Sequence, residues 1–249
     1  MKVINYPTLL IIIIISMFFS CKKEQKEPVT KPVEFTSTTY EALGTYDTLG
    51  KPTYLLTKDV VSAPMLSFIQ GVLPDKQDLR TAHPEYFTTS AIADIPITAP
   101  SDVFITFVSR GGGLTNTFAF YTYPTNQPPT STKDIHTIVY AFPNAGNRST
   151  LERGDKIKLG RFEAGTSIGF VILQKGWDKI THTINNKTVH FCSNDVLNPE
   201  VAANLKKHAV LINYEPENKV LIGFEDLDRT TPECDHDFND VVFYCTVKP

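Results

Sequence analysis

The chain has 249 residues, of which 41% are hydrophobic and 20% are charged, as in an ordinary globular protein. Its formal net charge of -3 at pH 7 excludes the broad basic field that nucleic-acid-binding proteins use. The 16 Phe and 10 Tyr residues favour β structure.

The N-terminus predicts a lipoprotein signal peptide over residues 1–20. Lys2 provides positive charge, and the apolar run from Leu9 to Phe19 has the length of a signal-peptide core, roughly 7–15 residues. This run is shorter than the roughly 20 apolar residues that span a bilayer. Ser20 and Cys21 close the run in a way that resembles the bacterial lipobox, although the residues before Ser20 are bulkier than usual.

We therefore expect lipid on Cys21 to hold the mature protein on a membrane. The alternative is an ordinary signal peptide with an incidental cysteine. Lys22 stands where an Asp marks inner-membrane retention in some bacteria, so the sequence favours an outer-membrane lipoprotein of the cell envelope, facing the periplasm or the surface. Residues 21–33 are charged and contain proline, which predicts a flexible tether.

Residues 34–95 predict an N-terminal part that packs on the main domain or leads into it. A mixed pattern over 35–57 predicts one or two strands. Residues 64–73 carry apolar side chains at helical spacing before a proline, which predicts a short helix. A second short helix is predicted over 199–207, with Asn198 as its cap.

Residues 96–249 predict a mainly β domain, a β-sandwich or jelly-roll-like fold. Short strand-like segments alternate there with turns rich in Gly, Pro and Asn. The predicted strands are 103–109, 117–123, 135–142, 156–160, 167–173, 188–191, 209–214, 220–225 and 240–247. Many short strands separated by such turns are typical of sandwiches and jelly rolls.

The segment 225–240 carries seven carboxylates, and Arg229 is its one Lys or Arg. Its Asp-x-Asp-x-Asn spacing is typical of calcium loops, but the Gly and Glu that complete an EF-hand are missing. Like charges held close together bind a cation or raise a pKa, and all-oxygen ligands favour Ca²⁺. The predicted calcium ligands are Glu225, Asp226, Asp235, Asp237, Asn239 and Asp240.

Other interpretations of this segment remain open. It is also consistent with a solvated loop whose Asp and Asn residues cap turns. An envelope polysaccharide hydrolase could use Glu225 and Asp226, although the sequence shows no second acidic cluster. A zinc site at Cys234 and His236 lacks the usual paired spacing. The glycine run 111–113 lacks the ending of a phosphate loop and predicts a tight turn.

Several segments between His83 and Tyr244 resemble a bacterial domain of unknown function, number 4114, which occurs in lipoproteins and secreted proteins, including LruC-domain proteins. They include DVFITFVSRGGGLTNTFAFYTYP, HTIVYAFPNA, RGDKIKLGRFEAGTSIGFVIL, and GFEDLDR followed by DHDFNDVVF. The resemblance implies a β-rich extracytoplasmic domain without an established enzymatic activity. The family's acidic motif, which looks like a Ca²⁺ site, falls on the six predicted ligands.

The chain departs from this family's pattern in three places. The family often has Glu-Gly-Ala-Gly-Tyr at residues 110–114, so a Glu that could assist the site is absent here. The family's glycine-rich insert is short at 146–151. The family has Ser or Gly near Cys192 and Cys234, which suggests a Cys192–Cys234 disulfide, with Cys234–Cys245 as the alternative. Cys245 alternates with apolar residues and is consistent with a buried thiol.

Together, these features predict a non-enzymatic envelope lipoprotein. We expect its sandwich to bind Ca²⁺ for structural reasons and to present loops to a protein or glycan partner. The alternatives are the polysaccharide hydrolase and a passive envelope or assembly component without a small ligand.

Overall fold

The computed structural model describes residues 35–88 and 90–249. The predicted signal peptide, the lipidation site Cys21 and the tether over 21–33 lie outside these residues and stay predictions. Within the described ranges, no helix is both long enough and apolar enough to cross a membrane.

The described residues form short strands, two helices and several single turns of 3-10 helix. The strands are β1 (Thr39–Ala42), β2 (Ile95–Pro96), β3 (Ser101–Arg110), β4 (Thr117–Pro124), β5 (Thr137–Phe142), β6 (Lys156–Phe162), β7 (Thr166–Leu173), β8 (Trp177–Asp178), β9 (Thr183–Ile184), β10 (His190–Cys192), β11 (Ala209–Tyr214), β12 (Lys219–Phe224) and β13 (Val241–Lys248). The helices are α1 (Ala63–Val72) and α2 (Leu79–Ala82). The 3-10 turns are Pro84–Phe87, Thr132–Asp134, Asp195–Leu197, Ala203–Leu205 and Glu215–Glu217.

Two sheets pack face to face. The first has the strand order β1-β5-β4-β7-β10, with β2 also paired to β7, and the second has the order β11-β12-β13-β3-β6. The inner faces share a core rich in phenylalanine, in which the rings of Phe118 on β4 and Phe243 on β13 lie 4.0 Å apart. The fold class is therefore the predicted β-sandwich.

The strand predictions are confirmed, because the apolar pattern of each segment reflects the faces that its strand buries. On β7, Ile168, Phe170 and Ile172 enter the central core, whereas Val171 and Leu173 pack in a cluster on the outer face of the same sheet. A strand that is buried on both faces reads as a continuous apolar run, and this is the pattern of residues 167–173.

The N-terminal part contacts both sheets. Strand β1 pairs with β5 at the edge of the first sheet. The predicted helix over 64–73 is confirmed as α1, whose N-terminus is capped by the Ser62 hydroxyl, which accepts a hydrogen bond from Met65 N. Met65 and Ile69 bury the inner face of α1 on the outer side of the second sheet. The domain boundary predicted at residue 95 stays a prediction.

The helix predicted over 199–207 is wrong. Only Ala203–Leu205 forms a single 3-10 turn. Asn198 does not cap this segment, because its side chain is hydrogen-bonded elsewhere. Its Oδ1 accepts from Cys192 N at 2.6 Å, and its Nδ2 donates to Lys206 O at 2.6 Å. These bonds hold the segment as an irregular loop against β10.

The predicted Cys192–Cys234 disulfide is also wrong. In the part of the chain that the structure describes, Cys192, Cys234 and Cys245 are free and buried. Cys192 lies in the cluster on the outer face of the first sheet, whereas Cys234 Sγ lies 3.1 Å from His236 Nδ1 in the acidic segment. The alternative Cys234–Cys245 bridge is likewise not formed, and Cys245 is the buried thiol that its alternation predicts.

Candidate metal centre

The acidic segment 225–240, here called the acidic loop, connects two paired strands. Strands β12 and β13 are antiparallel neighbours, and their register pairs Phe224 with Val241. The next residues outward are therefore Glu225 on one side and Asp240 on the other. Strand pairing thus brings together the two ends of the loop, which are 15 positions apart in the sequence.

The carboxylates of the acidic loop form two groups of three. Oxygens from Glu225, Asp226 and Asp240, here called the strand-end trio, all lie within 4.8 Å of one another. Oxygens from Glu225, Asp235 and Asp237, the loop trio, do the same. Two ligands of one Ca²⁺ cannot be more than about 5 Å apart, because Ca–O distances are roughly 2.3–2.6 Å. Each trio therefore fits around one cation, and Glu225 belongs to both.

Most of these carboxylates are shielded from water. Glu225, Asp226 and Asp237 are 1%, 2% and 2% exposed, respectively. Asp240 is half-buried, and Asp235 is exposed. Because burial disfavours the ionised form, it raises the pKa of Asp237 to about 6. Burial and then repulsion from Asp240 raise the pKa values of Glu225 and Asp226 well above their usual range.

A buried oxygen of Glu225 has no protein partner. Among the described residues, no hydrogen-bond donor reaches Glu225 Oε2. The buried guanidinium of Arg229 donates instead to Lys207 O at 2.7 Å and to His236 Nδ1 at 3.2 Å. Buried polar atoms in folded proteins are nearly always satisfied. A cation beside Glu225 Oε2 would therefore stabilise the ionised form of this carboxylate.

Protein donors orient the strand-end trio. The Asn116 side chain donates to Asp226 Oδ2 at 2.6 Å, and Asp226 N donates to Asp240 Oδ2 at 2.8 Å. The Gln174 side chain donates to Asp226 O at 2.7 Å. These bonds attach the acidic loop to the start of β4 and the end of β7. The sequence did not identify Asn116, which lies between the glycine run and β4 and belongs to no metal-binding motif.

A different set of donors orients the loop trio. Asp237 accepts from Lys76 N at 2.8 Å and from Asn239 N at 3.0 Å. The Asn239 side chain, a predicted ligand, also donates to Asp237 Oδ2 at 2.8 Å, and so it positions this carboxylate. His236 and Phe238 adopt left-handed backbone conformations, with φ of 60° and 57°, on either side of Asp237. The backbone therefore turns sharply around this residue.

The glycine run after β3 approaches the strand-end trio closely. Gly111 N and Gly112 N both donate to Asp240 O, at 3.0 Å and 3.1 Å. A Cβ on Gly112 would lie 2.7 Å from Asp226 Oδ2 and from Asp240 Oδ1. Glycine is therefore required where the backbone meets the carboxylates. The Arg110 guanidinium, on the last residue of β3, donates to Leu151 O.

Two further buried residues hold the backbone of Glu225, and the sequence reasoning missed both. Glu225 N donates to His208 O at 2.9 Å, and His208 Nδ1 donates to Glu225 O at 3.0 Å. His208 Nε2 lies 2.7 Å from Glu200 Oε1, and both side chains are fully buried. This support fixes the one residue that the two trios share.

The geometry does not favour zinc at Cys234 and His236. Their Sγ and Nδ1 atoms are 3.1 Å apart, but Nδ1 also accepts a hydrogen bond from the Arg229 guanidinium. A cation next to this nitrogen opposes a metal ion there. Burial also raises the pKa of the Cys234 thiol, whereas zinc binds the thiolate. The two oxygen-only trios fit a hard cation better.

The fold and the acidic loop thus define a β-sandwich with a candidate centre for a hard cation. Residues 162–248 match the family model described as a domain of unknown function, DUF4114. The matched span runs from the last residue of β6 to the last residue of β13 and includes all six predicted ligands. No curated protein and no solved structure matches the chain.

Proposed function

We propose that the protein is a non-enzymatic outer-membrane lipoprotein of the cell envelope, anchored through lipid on Cys21. Its β-sandwich binds Ca²⁺ and presents loops to a protein or glycan partner. The observation that carries the calcium proposal is the pair of carboxylate trios around Glu225, whose buried Oε2 has no protein partner. Extracellular calcium modules work with weak sites, about 10⁻⁴–10⁻³ M, which suits this compartment.

The role of calcium is to order one end of the sandwich. A cation in the strand-end trio neutralises carboxylates from both ends of the acidic loop. Through Asn116 and Gln174, the same trio is hydrogen-bonded to the loops beside β4 and β7. Calcium would therefore fix several loops relative to one another, which is the structural task that we assign to it.

These loops also line a cleft where a partner could bind. The cleft has a volume of about 200 Å³, and its lining includes Thr115, Asn144, Trp177 and the basic residues Arg148 and Lys179. The buried Asn144 Oδ1 has no hydrogen-bond partner in the described part of the chain. Hydroxyl groups of a glycan or amides of a protein could satisfy this atom. Thr115 directly precedes Asn116, so the cleft is adjacent to the candidate centre.

The hydrolase alternative is less well supported. Two catalytic carboxyl groups of a glycosidase stand roughly 5–9 Å apart across a groove that admits a sugar ring. Glu225 and Asp226 instead place oxygens within 4.8 Å of each other and are almost inaccessible to solvent. Close and buried carboxylates are suited to a shared cation, which favours binding over hydrolysis.

Calorimetry and thermal unfolding test the calcium proposal. The protein without residues 1–21 keeps every residue that the structure describes. With millimolar Ca²⁺ it should release or absorb heat and melt at a higher temperature, and Glu225→Gln should lose both effects. Glu163→Gln is the matched control, because Glu163 is exposed on the turn between β6 and β7. The absence of both heat and a melting shift in the unsubstituted protein would refute the proposal.

Metabolic labelling tests the anchor. The precursor should incorporate palmitate and fractionate with the outer membrane. Cys21→Ser should remove the label and release the protein, since a single substitution removes the acylation site. A Cys21→Ser protein that stays labelled or membrane-bound would show that the lipid is attached elsewhere or is not the anchor.

A further inference from the structure

Glu225 lies between two separate groups of carboxylates. Asp226 and Asp240 belong to the strand-end trio, and Asp235 and Asp237 belong to the loop trio. We infer that the acidic loop binds two Ca²⁺ ions, one in each trio, and that the Glu225 carboxylate bridges them. This inference rests on the proposed calcium binding and adds the number of ions and their arrangement.

The charge of the acidic loop supports two ions. When ionised, the five carboxylates of the two trios carry a formal charge of -5, so that one Ca²⁺ leaves -3 and two leave -1. None of the five carboxylates forms an ion pair among the described residues, although the buried Arg229 guanidinium interacts electrostatically with Glu225. With the Arg229 charge added, one Ca²⁺ still leaves a net charge of -2 in a largely buried cluster, which would be costly, whereas two Ca²⁺ leave no net charge.

Separate sets of hydrogen bonds hold the two trios. Asp226 Oδ2 accepts from the Asn116 side chain, and Asp240 Oδ2 accepts from Asp226 N. Asp237 is held by backbone donors of Lys76 and Asn239, which are not the donors of the strand-end trio. Each trio therefore has its own support, and Glu225 is the residue that links them.

A bridging carboxylate has a simple geometric basis here. Glu225 contributes to both trios, and its Oε2 is buried without a partner. In two-metal sites the ions are roughly 3.5–4 Å apart, a spacing that the two oxygens of one carboxylate can bridge. Ca²⁺ takes six to eight oxygen ligands, so backbone carbonyls and water complete each shell.

The two ions should differ in affinity. The strand-end trio combines two buried carboxylates with half-buried Asp240, whereas the loop trio includes exposed Asp235. Attraction between opposite charges is weaker where water screens it. We therefore expect the ion in the strand-end trio to bind more tightly and the ion in the loop trio to exchange more readily.

Stoichiometry tests the inference directly. The full lipidated chain, purified in detergent and stripped of metal, is dialysed against Ca²⁺ alone, and bound calcium is measured by atomic emission. We expect two ions per chain. Asp235→Asn should retain only the tighter ion, Asp226→Asn should lose the tighter ion, and Glu225→Gln should lose both. Glu163→Gln should retain two.

The outcomes separate this inference from the proposed function. One ion per chain, with Asp235→Asn unchanged, would overturn the two-ion arrangement and leave calcium binding intact. No bound calcium would overturn both. Because Asp235 is exposed, Asp235→Asn should fold, which circular dichroism verifies. Loading with a mixture of Tb³⁺ and Eu³⁺ provides an independent check, because energy transfer between the two lanthanides requires two neighbouring sites. We expect this energy transfer in the unsubstituted protein and its loss in Asp235→Asn. Its absence at full lanthanide loading would also contradict the inference.

Discussion

The side-chain amide of Asn116 donates a 2.6 Å hydrogen bond to Asp226 Oδ2, and both residues are buried. The Oδ1 atom of the same amide accepts from Lys175 N at 3.1 Å. One asparagine thus connects the acidic loop, the start of β4 and the turn after β7. The candidate metal centre is therefore part of the framework of the sandwich and is not an appended loop.

Asn116→Ala should weaken both the fold and calcium binding. The substitution removes the donor to a buried carboxylate, and an unsatisfied buried group costs about 1–3 kcal/mol. Urea unfolding without calcium should show a loss of this size, and calorimetry should show weaker Ca²⁺ binding because Asp226 is no longer oriented. Asn147→Ala is the control, since it removes an exposed hydrogen bond to Gly113 O nearby and should change stability by less than about 0.5 kcal/mol. Equal effects of the two substitutions would contradict the role of Asn116.

Gly112→Ala should lower the affinity for calcium. A Cβ at this position would lie 2.7 Å from oxygens of Asp226 and Asp240, so the carboxylates must move apart. Gly113→Ala is a closely matched control, because a Cβ there meets nothing within 4 Å. Titration calorimetry should show weaker binding for Gly112→Ala alone. If both variants bind calcium as the unsubstituted protein does, the glycine run does not constrain the site.

The strands were predictable from sequence because each follows from a local apolar pattern, which alternates where one face is buried and is continuous where both faces are buried. Two neighbouring strands also determine that Glu225 faces Asp240, so part of the site follows from the hairpin β12–β13. Asn116 could not be found in this way, since it lies 110 positions from Asp226 along the chain. Only the packing of one sheet on the other brings these residues together.

The two wrong predictions have the same physical origin. The capping of residues 199–207 depended on which group the Asn198 side chain bonds, and that group is the backbone of β10. The Cys192–Cys234 pairing depended on where the fold places each thiol, and Cys192 lies on the outer face of the first sheet whereas Cys234 lies in the acidic loop. Neither relationship has a local sequence pattern, because both are set by tertiary contacts.

The metal-free protein should become less stable as the pH rises, because four carboxyl groups of its two trios have raised pKa values. In the unfolded chain, the pKa values of Asp and Glu are about 3.9 and 4.3. In the folded protein, the pKa of Asp237 is about 6, and the pKa values of Glu225, Asp226 and Asp240 are raised. Between these values the folded state binds more protons than the unfolded state. Its stability therefore falls as the pH rises through this window.

Thermal unfolding in a chelator, compared between the unsubstituted protein and Glu225→Gln, measures this contribution. Asp59 and Asp78 add no trend in this window, because hydrogen bonds and nearby cations lower their pKa values despite partial burial, and both groups are ionised above about pH 5 in either state. The melting temperature of Glu225→Gln relative to the unsubstituted protein should rise from about pH 5 to about pH 8. Added Ca²⁺ should stabilise the unsubstituted protein more at the higher pH, because it binds the ionised carboxylates. A difference that is independent of pH would contradict the buried, mutually repelling arrangement.

Reductant should not change the stability of the sandwich, because its cysteines are free. Cys192, Cys234 and Cys245 are buried, and burial raises the pKa of the Cys245 thiol to about 12, so these thiols stay protonated and unreactive in the folded protein. A thiol reagent should label none of them in the native Cys21→Ser protein and all three after unfolding in urea without reductant. The melting temperature should be the same with and without dithiothreitol. If one thiol were labelled after unfolding and all three after reduction, two of these cysteines would form a disulfide. The segments that carry them would then have to lie closer to each other than they do in this structure.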